Sequence, residues 1–238
     1  AASYAATALF VSRVARPDIS CMTQRLCSAV SRWSNVHDDA LARLMQYCVH
    51  SRNLTLSGEL GPIDSTDVEI HCYSDADWAG DGSSSKSTTG IWIEFCSPSS
   101  GRTWPLAWTS CKQTSTASAT AESETVAASH ALRRECVPLQ LLTEEMLGWK
   151  LRVRHFIDNT QALSAIAKGY SKKLRHLART QRVCIGLMSE CVSNPEMMYD
   201  CEHCPTLDMK GDAFTKALNT EKYQAALTQL RMIDRARL

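Results

Sequence analysis

The order of elements after residue 68 predicts an α/β fold, a five-stranded mixed sheet flanked by helices, preceded by a short N-terminal helical appendage. Two observations carry this. Residues 68–78, 90–96 and 104–110 read as strands separated by Gly/Ser-rich turns, the pattern of an antiparallel meander. Beyond them, helical periodicity alternates with strand-like runs at 151–158 and 196–203, which requires crossovers that place helices on the faces of the sheet. With 44% hydrophobic and 21% charged residues, the 238-residue chain can bury such a core.

In chain order, Asp18 follows Pro17 and starts a helix to about Trp33, and Asn35 is the expected N-cap of a second helix through Leu41, Leu44 and Tyr47. Residues 52–67 are rich in Gly, Ser, Thr and Asp and mark a boundary. The expected division is a helical segment over 1–55 and a second unit over 68–238. Residues 121–147 form a long helix with an apolar stripe at Ala128, Leu132, Cys136, Leu139 and Leu142, kinked or split by Pro138 and stopped at Gly148. Helices are expected at 160–168, at about 173–190, and from about 212.

The apolar runs fall short of the ~18 residues of a membrane span, and the first ten residues lack the basic and apolar regions of an export signal. An intracellular protein is expected, in a cytoplasmic particle or the nucleus, with its 11 cysteines reduced. Cys201-x-x-Cys204, even with His203 and Cys191 nearby, lacks the second pair of a closed zinc site. The net charge of +1 gives no global attraction to nucleic acid, so any such attraction is local.

Several acids occupy positions where a carboxylate is costly. Asp75 and Asp77 close the first strand on one face, and Asp158 follows the apolar pair Phe156-Ile157. Glu124 lies four residues before Ala128 and eight before Leu132, on the buried stripe, whereas Glu122 is turned roughly 160° away. Asp212 opens the last helical region. Alone, each could be a cap, a turn residue or a solvated charge. Gathered at one sheet edge they would need a divalent cation, and oxygen-only ligands suit Mg²⁺ or Mn²⁺. Two such ions about 4 Å apart can clamp the attacking and leaving oxygens of a phosphodiester.

These residues lie within a series of motifs. Tyr73 to Asp81 (YSDADWAGD), Lys86 to Gly90 (KSTTG), Trp108 to Gln113 (WTSCKQ), Thr120 to Glu124 (TAESE), Asp158-Asn159, His176, and Asp212 to Leu218 (DAFTKAL) occur in the order and spacing of the ribonuclease H domain of Ty1/copia-type retrotransposon polyproteins. The chain resembles that family over nearly its whole length. Arg16-Pro17-Asp18-Ile19 and the helix from His37 to Tyr47 resemble the segment joining it to the reverse transcriptase. The resemblance implies a ribonuclease H-like fold, cleavage of the RNA strand of RNA–DNA hybrids, and a partner in the reverse transcriptase portion of the same polyprotein. It implies that Asp75, Glu124, Asp158 and Asp212 are the catalytic carboxylates and hold two Mg²⁺ or Mn²⁺ ions, with no membrane and no small-molecule cofactor involved. Gly211 stands where the family usually has Ala.

Between Asn159 and Ser189 there is no acid. Lys168, Lys172, Lys173, Arg175, His176 and Arg179 in this stretch are the expected nucleic-acid contacts. An integrase-like core would need its Glu on a late helix rather than the first one after the meander. The remaining alternative is a decayed or repurposed element that binds nucleic acid or a polymerase without cutting.

Overall fold

A computed structural model describes residues 2–237. The helices are α1 (Ala2–Val14), α2 (Ser20–Ser28), α3 (Asn35–His50), α4 (Thr120–His130), α5 (Val137–Leu147), α6 (Thr160–Lys168), α7 (Leu177–Thr180), α8 (Ile185–Ser193), α9 (Asp212–Thr215) and α10 (Thr220–Gln229). The strands are β1 (Leu54–Leu56), β2 (Glu69–Asp77), β3 (Lys86–Cys96), β4 (Thr103–Thr116), β5 (Val153–Ile157), β6 (Tyr199–His203) and β7 (Met232–Asp234). Five strands form one mixed sheet in the order β4-β3-β2-β5-β6, antiparallel from β4 to β2 and parallel from β2 to β6. The expected α/β architecture is present. No helix among the described residues is long and apolar enough to cross a membrane.

The period-2 alternation of the strands sorts side chains between two cores. Ile70, Cys72, Ile91 and Ile93 face one layer, where Ala128, Leu132, Ile166 and Met188 pack on them. Trp92 faces the other and stacks on Trp108 and Phe214, with Leu227, Leu230 and Met232 behind. The N-terminal helices hold a small cluster of Ala8, Ile19, Leu26 and Leu44. They also reach the sheet. Trp108 Nε1 donates to the Ser12 carbonyl at 2.6 Å, and Tyr223 OH donates to the Asp18 carbonyl at 3.1 Å. Strand β1 pairs antiparallel with β7.

Four local expectations change. Helix α3 is capped by Ser34 rather than Asn35, with the Ser34 and His37 side chains meeting at 2.8 Å. The helix expected over 173–190 is broken into α7 and α8, because Arg182 adopts a left-handed φ of 56° and Val183 N–H turns back to the Leu177 carbonyl. Pro138 does not split its helix. The six residues Ala131–Cys136 before α5 widen into a π turn that carries the axis past the missing N–H. The C-terminal region is not wholly helical but contains β7, a three-residue strand too short to show alternation in sequence, followed by a 3₁₀ turn over Arg235–Arg237. Gly148 stops α5 as expected, with φ 80°.

His155 ties three strands together within the core. It is fully buried on β5, with Nε2 2.8 Å from Ser74 Oγ on β2 and Nδ1 2.9 Å from Tyr199 OH on β6. Burial pushes its pKa down to about 3, so the ring is neutral and can donate to one hydroxyl while accepting from the other. The unfolded ring takes up a proton near 6.5 that the folded ring refuses, so this contribution to stability is lost as pH falls from about 6.5 to about 3. His155→Leu strands two buried hydroxyls and is expected to cost on the order of 3 kcal/mol in urea unfolding at pH 7, with an unchanged m value. A loss below about 1 kcal/mol would show that the network contributes little.

Candidate metal centre

The parallel pairing of β2 with β5 builds the site. Ser74 is in register with Ile157, so the next residues, Asp75 and Asp158, emerge side by side at the carboxyl ends of adjacent strands. Glu124 arrives from the first turns of α4. That turn is fixed by Gln113 on β4, whose Nε2 donates to the Ser123 carbonyl at 2.9 Å and to Thr89 Oγ1 at 3.1 Å. One carboxylate oxygen from each of Asp75, Glu124 and Asp158 lies within 4.8 Å of the others.

Asp75 and Glu124 are buried, at 2% and 3% exposure, and the electrostatics follow. Burial, then the charge of Asp212, raises the Asp75 carboxyl well above the usual carboxylate range. Burial, reinforced by Asp75 and Asp158, pushes Glu124 up to about 10, against an Ala76 N–H that donates to it. Burial and Asp212 also raise Asp158. Asp75 Oδ2 accepts from Thr215 Oγ1 at 2.5 Å, whereas Glu124 Oε2 is buried without a hydrogen-bond partner among the described residues. A buried carboxylate oxygen with an unused lone pair, facing two further carboxylates, fits a hard divalent cation.

Asp212 approaches on α9 and is not one of the three converging carboxylates. Its Oδ1 is 2.7 Å from Lys216 Nζ. Burial alone would lower the Lys216 ammonium, but the charges of Asp75, Asp212 and Asp158 more than offset this and hold it protonated. The close approach of α9 explains Gly211. A Cβ there would sit 2.8 Å from Asp75 Cβ and 3.0 Å from its backbone nitrogen. Gly90 on β3 is constrained in the same way, since a Cβ would come within 2.5 Å of the Gly211 carbonyl. Thr215 and Lys216 lie inside the closing motif, yet nothing in their spacing announces contact with Asp75 and Asp212.

Glu122 does not point to solvent. It is 3% exposed, accepts from Ser118 N–H and Oγ at 2.8 and 2.6 Å, and lies 3.1 Å from His176 Nε2. The far side of the helix start is covered by a segment distant in sequence, so Glu122 is held in a contact of its own. The other basic residues, Lys168, Lys172, Lys173, Arg175 and Arg179, are exposed, and none is in an ion pair among the described residues. Lys168, Lys172 and Lys173 line a shallow groove with the exposed ring of Tyr170, an aromatic the basic pattern did not single out. Cys204 is buried, Cys201 is half-buried, and neither joins a cluster of metal-binding side chains among the described residues.

Because the folded Glu124 holds its proton to about 10 while an unfolded glutamate loses it near 4.5, its contribution to stability is complete below that lower value and lost as pH rises toward the upper one. Without divalent ions the melting temperature is therefore expected to fall between pH 5 and pH 9. Glu124→Gln should flatten that fall, and Mg²⁺ or Mn²⁺ should raise the melting temperature more at pH 8 than at pH 5 in the parent chain only. Equal metal effects in the parent and Glu124→Gln would place binding elsewhere.

No family model and no solved structure matches the chain. Its sequence is similar to two curated proteins of Arabidopsis thaliana, the retrovirus-related Pol polyproteins from transposons RE1 and RE2. It is 27% identical to the first over 212 residues and 26% identical to the second over 214. Each alignment covers 88% of this chain but 13% of the relative, so the chain spans about an eighth of their length. These similarities support a retroelement origin, with Pol polyproteins as the relatives.

Proposed function

We propose that the chain is a ribonuclease H-like, divalent-metal-dependent endonuclease that cleaves the RNA strand of RNA–DNA hybrids, working beside the reverse transcriptase portion of a Pol polyprotein. The observation that carries this is the convergence of Asp75, Glu124 and Asp158, with one Glu124 oxygen buried and unpartnered. The order of the motifs and the similarity to Pol polyproteins support the choice of substrate.

Asp75, Glu124 and Asp158 would hold the metal, with Asp212 beside them; two Mg²⁺ or Mn²⁺ ions would supply Lewis-acid stabilisation of the phosphoryl oxygens and an activated water. Thr215 fixes the Asp75 carboxylate through its hydroxyl. Lys216 balances the acids, its ammonium paired with Asp212. Lys168, Lys172, Lys173, Arg175 and Arg179 would take backbone phosphates, and His176, held by Glu122, would orient the strand entering from that side.

The test is cleavage of labelled RNA–DNA hybrid, RNA duplex and DNA duplex in Mg²⁺, Mn²⁺ or EDTA. The hybrid alone should be cut, and only with metal. Asp75→Asn, Glu124→Gln and Asp158→Asn should each lower the rate by about 100-fold or more, Asp212→Asn by less, and the exposed Glu145→Gln not at all. Failure to cut in either metal, with hybrid binding retained, would favour the non-cutting remnant.

In the same preparation, reversing Lys172, Lys173 and Arg175 to Glu should weaken hybrid binding and make its dependence on salt shallower, without shifting the melting temperature. Binding unchanged at low and moderate salt would make that face a solvated surface.

A further inference from the structure

On the edge strand of the sheet, three side chains meet that the proposed function leaves unused. Cys111 on edge strand β4 points toward α4, and its Sγ lies 3.6 Å from His130 Nδ1. On the other side of the ring, His130 Nε2 is 3.7 Å from Glu135 Oε1, which also accepts from Thr109 Oγ1 at 3.4 Å. Residues five apart do not share a face of an α-helix. Here the π turn over Ala131–Cys136, with its longer repeat, brings Glu135 round beneath His130. The imidazole is thus held between a thiol and a carboxylate that is itself anchored to β4.

We propose that Cys111 is a nucleophilic thiol, activated by His130 as base with Glu135 orienting the ring, and that it is a modification site for soft alkylating electrophiles. A nucleophile, a base within reach, and a third group orienting the base are the parts such chemistry requires. Cys111 is half-buried rather than enclosed, and the His130 and Glu135 side chains are 22% and 27% exposed, so a small reagent can reach the sulfur. The Glu135 carboxylate beside Nε2 favours the tautomer with its proton on that nitrogen, which leaves Nδ1, facing the sulfur, free to accept the thiol proton. With iodoacetamide the balance is simple. The thiol proton passes to His130 Nδ1, the sulfur electron pair forms the S–C bond, the C–I bond breaks, and iodide leaves with its pair.

The experiment is brief alkylation of the full chain with iodoacetamide at pH 7, with each cysteine quantified by peptide mass spectrometry. Cys111 is expected to react about 10-fold faster than free N-acetylcysteine. His130→Gln should bring it to the free-thiol rate or below, Glu135→Gln should give an intermediate rate, and the exposed Cys184 should be unaffected in both. A parent rate no faster than the free thiol, or a Cys111 rate unchanged in His130→Gln, would reduce the cluster to a structural polar contact. If His130→Gln does not fold, the parent rate and Glu135→Gln decide. None of these outcomes depends on whether the chain cuts nucleic acid.

Discussion

Carboxylates that converge within 4.8 Å repel one another, and burial removes the water that would screen them. Much of the surrounding structure is intelligible as the means of holding that repulsion in place. Asp75 and Asp158 are fixed by the parallel register of two central strands, which cannot yield without breaking the ladder beneath them. The His155 network locks that register from within the core, bridging β2, β5 and β6. Glu124 is held by a helix whose first turn is bonded to β4 through Gln113.

Relief comes from the opposite face. Gly90 and Gly211 let α9 lie against β2 and β3 at backbone distance, closer than any side chain would allow. This brings the Thr215 hydroxyl and the Lys216 ammonium to the acids. A single ammonium does not satisfy the set. Glu124 Oε2 keeps no partner among the described residues, and the carboxyls stay raised, as expected of a centre with room for a cation. The N-terminal helices add to this side, since Arg25 on α2 lies 3.7 Å from Asp77 at the end of β2.

The central parts were legible because they depend on short-range periodicity. The five strands followed from alternation, and the inward face of Glu124 from its offset to Ala128 and Leu132. What sequence did not disclose depends on distant segments. Glu122 is on the side of the helix that phase assigns it, but His176 and Ser118 cover that side. Gly211 reads as a departure from a family pattern until its distance to Asp75 is seen. Pro138 signalled an interruption, but not that the chain would answer with a π turn that aligns Glu135 with His130. Strands β1 and β7 are three residues each and owe their existence to pairing with one another.

Most of the chemistry turns on whether Asp75, Glu124 and Asp158 together form a divalent cation site. The most direct measurement is anomalous X-ray scattering from crystals of the chain grown with Mn²⁺, compared with crystals of Glu124→Gln. A strong peak is expected within coordination distance, about 2.2 Å, of oxygens from all three carboxylates, lost or much weakened in the variant. Manganese bound elsewhere, or the three carboxylates free of metal at millimolar Mn²⁺ with Lys216 as their only counter-charge, would contradict it.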